Sequence, residues 1–340
     1  MTEPLAGAKW RVIRVFPRHT SATPTDDYAF IGDPPLAIPK DASEARVSCA
    51  FTWDLPRAEE LVRSWSRFGL PVTLGGPALG EPGGEFVPGM YLREGYTITS
   101  RGCPNHCWFC AVWQREDGLR ELPIRDGWHV LDDNLLACSE DHIHAVFAML
   151  KRQPKSAVFT GGFEAALLRP WHVDLLTGIR LRRLYCAYDT PDDLEPLIVA
   201  GQMLTEAGIT LTTRKPCCYV LIGYPDDTLD AAEARLRQTL DVGFVPFAML
   251  WRDDQRKVRE QCWRNLQRSW CRPAAIFAPK CEYQPALGLP AVAARLRGAR
   301  DGGGDTMRKS ALAETTTEEK TAAVKDGVIF TVARPPRSGA

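Results

Sequence analysis

The chain predicts an α/β fold, an open partial barrel of six strand-helix units preceded by a small Rossmann-like α/β unit. Three observations carry this reading. Short β-branched and aromatic runs alternate with helical patterns at a spacing that suits parallel strands joined by crossovers. A separate strand, helix, strand sequence precedes that alternation, and a Gly- and Pro-rich segment lies between the two. At 340 residues the chain exceeds the usual single-domain size.

Four regions follow: residues 1–90, a small α/β unit and linker; 91–250, the barrel; 251–297, an Arg- and Trp-rich helical extension; and 298–340, a largely flexible tail. In the first, "WRVIRVF" (10–16) and "RVSCAFT" (46–52) read as strands, separated by a long Pro-rich loop. "LPRAEELVRSWSRFG" places Leu61, Val62, Trp65 and Phe68 at helical spacing and stops at Gly69, and "PVTLGGP" is a short strand closing on a turn. "GPALGEPGGEFVPGMYLREG" is the linker.

From residue 96 the strand candidates are "YTITSR", "GWHVLDDN", "SAVFTGG", "LRRLYCAYD", "CCYVLIGY" and "GFVPFAMLW". Helical patterns "EDHIHAVFAMLKRQ", "LRPWHVDLLTGI", "PDDLEPLIVAGQMLTEAG" and "TLDAAEARLRQTLDVG" lie between the later ones. A TIM-like barrel carries its chemistry on the loops after its strands. That rule selects "RGCPNHC", "LDDN", "TGGFE", "YDTPDD", "IGYPDDT" and "LWRDD" as a ring around one mouth.

Lys plus Arg equals Asp plus Glu at 42 each, so no global field steers the chain to a polyanion or an anionic membrane. The apolar runs are far shorter than the ~20 residues a spanning helix needs. The start "MTEPLAGAKWRV" has no long apolar segment behind a basic cap, so the expectation is a soluble cytoplasmic protein with no membrane partner. The 11 cysteines are an odd set spread through apolar runs, which fits small core residues better than a disulfide framework.

Cys103, Cys107 and Cys110 need a separate account, because they crowd one loop tightened by Gly102 and Pro104. Three thiolates on one short loop can hold three corners of an iron-sulfur cubane and leave the fourth iron without a protein ligand. On the residues alone two other readings stay open. One is zinc with His106 or Cys138 as fourth ligand, and the other is packing cysteines with no metal.

The spacing Cys103-x-x-x-Cys107-x-x-Cys110, set in "TSRGCPNHCWFC" just past the first strand of the alternation, resembles the signature of the radical S-adenosylmethionine superfamily. The resemblance extends over residues 91–250 through the number and order of the strand-helix units. It implies a [4Fe-4S] cluster on the three cysteines and S-adenosyl-L-methionine chelated to the unique iron. It also implies cleavage to a 5'-deoxyadenosyl radical that abstracts hydrogen from an unidentified substrate, with a flavodoxin or ferredoxin as one-electron donor.

The same resemblance places Phe109, between the last two cysteines, beside the adenine, with Trp108 shielding the cluster. Asp133 and Asn134, at the second strand's end, offer oxygens to the methionyl ammonium or to substrate, and helix capping is the competing task. Gly161, Gly162 and Glu164 resemble the family's Gly-Gly-Glu element, with Phe163 inserted. Tyr188 and Asp189 are candidates for ribose or substrate contact, while Asp192 and Asp193 suit a helix start. Ile222, Gly223 and Tyr224 sit in a turn like the family's adenine-side turn. Met249, Trp251, Arg252 and Asp253 lie where a substrate would rest. Arg101 stands beside the cysteines as a counter-charge or strand-end residue, and His106 faces outward.

The N-terminal unit resembles the arrangement of cobalamin-dependent members of this superfamily. None of the six histidines lies in an Asp-x-His-x-x-Gly pattern, so a degenerate unit without cobalamin is the expectation. Cobalamin-dependent methyl transfer is the alternative within the enzyme class. Outside it stands a non-catalytic iron-sulfur or zinc protein that binds nucleic acid. Only Cys49 precedes the loop, against a methylthiotransferase, and Cys262, Cys271 and Cys281 read as core packing rather than an auxiliary cluster. Arg252, Arg256, Lys257, Arg259, Arg264, Arg268 and Arg272, interleaved with tryptophans, form a strip suited to a nucleotide or nucleic-acid substrate, or to a solvated face.

Overall fold

The computed structural model describes residues 11–252 and 261–277. Cys281, the middle of the arginine-rich strip with Asp253, and the tail from 298 lie outside the described residues. The architecture is mixed α/β with parallel sheets, as the alternation implies.

The N-terminal unit is a four-stranded parallel sheet of β1 (Val12–Phe16), β2 (Ala29–Ile31), β3 (Glu44–Ser48) and β4 (Val72–Gly75), in the order β2-β1-β3-β4. Strand β2 falls inside the stretch expected to be loop. Helix α1 (Leu55–Trp65) buries Ala58, Leu61 and Trp65 against Ile13, Val15, Ala45 and Val47, and the chain leaves its last turn through Gly69 in the left-handed region.

The opposite face of β1 is finished by a charge. Arg14 is fully buried and donates to the carbonyls of Gly89 and Met90 in the linker while pairing with Asp26. The linker is thus strapped across this sheet.

In the second body, β5 (Tyr96–Thr97) starts the main sheet, while β6 (Ser100–Arg101) pairs antiparallel with β7 (Arg120–Glu121) around the short α2 (Val112–Arg115). The expected strand "YTITSR" is therefore divided between two sheets. Next come β8 (His129–Val130), α3 (Glu140–Arg152), β9 (Ala157–Phe163), α4 (Pro170–Thr177), β10 (Leu181–Tyr188), α5 (Leu194–Glu206), β11 (Pro216–Ile222), α6 (Leu229–Asp241) and β12 (Val245–Leu250). Helices α7 (Gln261–Trp270) and α8 (Pro273–Ile276) follow.

Six strands pair in parallel and in chain order, β5-β8-β9-β10-β11-β12. Helix α3 starts where the Ser139 side chain accepts from the His142 N–H, and α6 where Thr228 accepts from Ala231. All seven residues of β11, "PCCYVLI", are buried, as a strand covered on both faces requires. Phe147, Phe159, Leu197, Leu236 and Phe244 belong to one continuous core between sheet and helices. Sequential parallel order brings every strand's carboxyl end to one edge, and the loops there meet.

Candidate functional site

The cysteine loop runs directly off β6. Cys110 N–H closes a turn on the Cys107 carbonyl at 3.0 Å, and the three thiols are free and partly buried. Val112 N–H points at the Cys110 sulfur and the Asn134 amide at the Cys103 sulfur, each at 3.4 Å. Burial raises all three thiols, Cys107 to about 11 and Cys110 to about 12; negative charge on Cys103 raises Cys107 further, and charge on Cys107 and Cys103 raises Cys110. The bare thiols are therefore protonated at neutral pH, and only a cation among them would hold all three as thiolates.

Among the described residues, no group of three or more His, Cys, Asp or Glu side chains is gathered tightly enough to hold a metal ion. The donor set nonetheless fits a cluster. It offers three thiols in mutual electrostatic reach, with N–H groups placed to stabilise charge on two of the sulfurs. His106, the alternative fourth ligand, is exposed with its ring 5.5 Å from Trp113. Cys138 is buried in the main core, and burial raises its thiol to about 11.

The three polar residues that end β8 have three different tasks. Asp132 is buried and accepts from the Thr99 N–H at 2.6 Å and from the Thr99 hydroxyl, so it ties the β5 strand end to this loop. Asp133 accepts from the Gly102 N–H at 2.8 Å and faces Arg115 at 3.6 Å, so this carboxylate pins the start of the cysteine loop. Asn134 donates to Cys103 and to Glu164, at 2.7 Å from the carboxylate, while its own Oδ1 is buried without a donor. Of the two residues expected to meet the ammonium, Asn134 is the one whose buried acceptor has no donor.

Glu164 also accepts from Asn105 at 2.9 Å, joining the cysteine loop to the end of β9. The inserted Phe163 is explained by strand parity. Its ring packs in the core, tilted and 4.8 Å from Phe159, and the next residue turns toward the cysteine loop. Gly161 serves the scaffold, since a side chain there would run into the backbone of Asp132. Gly162, at φ +104°, has open space where its side chain would be.

Two expected contacts point away from the mouth. Tyr188 is buried and donates to Gln238 on α6 at 2.8 Å, and Ile222 is fully buried in the core. Asp189, next to Tyr188, has the opposite parity. It accepts from Leu221 N–H at 3.1 Å and raises the thiol of Cys107, and burial followed by the charge of Asp193 lifts its own pKa to about 7. Asp193 caps the following helix turn through Thr190, as its position implied. Gly223, at φ +71°, donates to Asp227 at 2.7 Å and packs below Trp263.

An aromatic group stands over the loop. Trp108, 50% exposed, meets Phe109 at 5.3 Å, Tyr224 at 5.8 Å and Trp251 at 6.5 Å. Arg235, paired with buried Asp227, lies 5.1 Å over the Tyr224 ring. Trp263 and Trp270 of α7 are buried, so they give the strip's arginines on that helix, Arg264 and Arg268, no stacking surface.

Sequence reasoning missed Glu116. Its carboxylate is buried, accepts from Gly83 N–H at 2.9 Å, and pairs with Arg115 at 3.3 Å and Arg120 at 3.1 Å. Arg120 also reaches the Gly83 carbonyl at 2.7 Å and Arg101 the Gly84 carbonyl at 3.2 Å, so Arg101 is a clasp on the linker. An acid flanked by Arg115 and Arg120 was the available signal, but its other partner, Gly83, lies in the linker. No protein-family model matches this chain, and no curated protein matches it either.

Proposed function

We propose that the protein is a radical S-adenosylmethionine enzyme and that its six sequential parallel strands curve as an open (β/α)6 barrel. The observation that carries this reading is the placement of Cys103, Cys107 and Cys110 together. They share one loop at the carboxyl edge of a parallel sheet, with Asn134 donating to Cys103 and Glu164 joined to the same loop.

When bound, a [4Fe-4S] cluster with S-adenosylmethionine supplies a one-electron cleavage to methionine and a 5'-deoxyadenosyl radical that removes hydrogen from substrate. The residues of this chain prepare that event. The three cysteines would hold the cluster, and the N–H groups of Val112 and Asn134 would lower the cost of charge on the cysteine sulfurs. The Asn134 Oδ1 and the Glu164 carboxylate would accept from the methionyl ammonium. Trp108, Phe109 and Tyr224 form an apolar wall that would receive the adenine and keep water out. Asp189 would accept from a ribose hydroxyl. The electron comes from a small donor such as a flavodoxin or ferredoxin.

The test is anaerobic reconstitution of the full chain with iron and sulfide. About four irons per chain and, with dithionite, release of 5'-deoxyadenosine are expected, and changing any one of the three cysteines to Ala should abolish both. A chain carrying a full cluster that leaves S-adenosylmethionine intact, or one that takes up only tetrahedral zinc, would sink the reading.

A further inference from the structure

The N-terminal sheet contains a switch point. From β1 the chain runs to β2 on one side, then crosses to β3 on the other, so the order reverses outside the carboxyl ends of β1 and β3. In open parallel sheets such a reversal is where ligands bind. Arg18 follows β1 there, and Phe51, Trp53 and Asp54 follow β3.

This switch point is joined to the cysteine-loop mouth. Arg252, two residues beyond β12, lays its guanidinium 4.7 Å from the centre of the Trp53 ring. Its neighbour Trp251 is the residue 6.5 Å from Trp108. On the other side Trp53 stacks on Phe51 at 4.7 Å, and Arg18 lies 5.7 Å over Phe51 while pairing with Asp54. The adjacent residues Trp251 and Arg252 therefore link the aromatic group over the cysteine loop to the rings at the switch point.

The charges along this row differ. Arg18 is neutralised by both oxygens of Asp54, whereas Arg252 is exposed and, among the described residues, no carboxylate pairs with it. The Trp53 indole N–H is buried and has no acceptor. A buried donor without an acceptor costs free energy until one arrives. Flat rings, a guanidinium with no carboxylate in contact among the described residues and a waiting N–H donor together match a flat heteroaromatic ring that carries an anion.

We propose that this row binds a nucleotide, with the base stacked on Trp251, an acceptor of the nucleotide taking the Trp53 indole N–H, and the phosphate held by Arg252. Given the radical chemistry proposed above, on which this part rests, the nucleotide is the substrate; the binding itself does not depend on it. The chain's zero net charge makes the contact local, so affinity depends on Arg252 and the rings rather than on a general basic surface.

Binding can be measured without turnover. The reconstituted full chain, without S-adenosylmethionine, is titrated with adenosine 5'-monophosphate and, separately, with a short single-stranded DNA. Either probe should bind, and Arg252→Ala should weaken it about tenfold with melting temperature and iron content unchanged. Trp53→Leu should weaken it comparably, while Arg268→Ala, which removes the same charge from an exposed site on α7, should leave it unchanged. Tight binding of the mononucleotide identifies a free nucleotide, and binding of the strand alone identifies a nucleotide within nucleic acid. The proposal is overturned if neither probe binds or if Arg268→Ala weakens binding as much as Arg252→Ala. Binding that is intact in a chain unable to cleave S-adenosylmethionine would count against the radical reading alone.

Discussion

Both sheets pair their strands in parallel, yet they finish their faces differently. From β8 onward each strand of the main sheet is followed by a helix, and the whole of β11 is buried. The N-terminal sheet has one long helix, α1, for one face. For the other it uses Arg14 and a strap of linker backbone. Apolar burial gains stability with every Å² removed from water, whereas a buried arginine only recovers what its own desolvation cost. The difference teaches that the main body can hold itself together, while the N-terminal unit depends on the chain that ties it there.

Four experiments break or sharpen this contrast. The largest loss belongs to the main core. Leu236→Ala removes a fully buried side chain from α6, and a cost of about 2–5 kcal/mol should appear as a lower denaturation midpoint. Acid comes next. His172 is buried, and burial followed by nearby Arg169 lowers its pKa from 6.5 to about 4. The folded ring is neutral, so its contribution is complete above 6.5 and is lost as pH falls toward 4, by roughly 3 kcal/mol. His172→Gln should flatten that part of the stability-pH curve, and an unchanged slope would exonerate His172.

Arg14→Met should cost about 2 kcal/mol, since two carbonyls lose their donor while Asp26, which is 44% exposed, rehydrates. Its sharper signature is spatial, with faster proteolysis in residues 86–92 and an undisturbed main body. A loss as global as that of Leu236→Ala would end the distinction between the two units. Tyr188→Phe is the smallest, about 1 kcal/mol for one hydrogen bond to Gln238. Because that hydroxyl faces a helix, the S-adenosylmethionine affinity that the proposed function calls for should not move, and a weakened affinity would return Tyr188 to the candidate site.

The strands β9 to β12 and the helices between them were legible because apolar runs of this length carry their own periodicity. Strand β2 was not, since three residues in a Pro-rich stretch give no local signal and form a strand only beside β1. At the site, the cysteine spacing and Glu164 were readable in one dimension. Tyr188 was misdirected by a parity rule the sequence does contain. It falls two residues after Cys186 and four after Leu184, both core residues, so it shares their face. The separate tasks of Asp132, Asp133 and Asn134 were not readable, because each is decided by a partner on another element. The same holds for Arg252, whose meeting with Trp53 joins two distant parts of the chain.

The clasp between Glu116, Arg120 and Gly83 has a consequence in time. The linker leaves the ribosome ahead of the cysteines, and during synthesis N-terminal domains fold first as units. Gly83 is therefore already outside when Glu116 is made, and the loop closes onto an anchor that preceded it. A chain begun after that anchor would make every cysteine and still deliver them late to their shape.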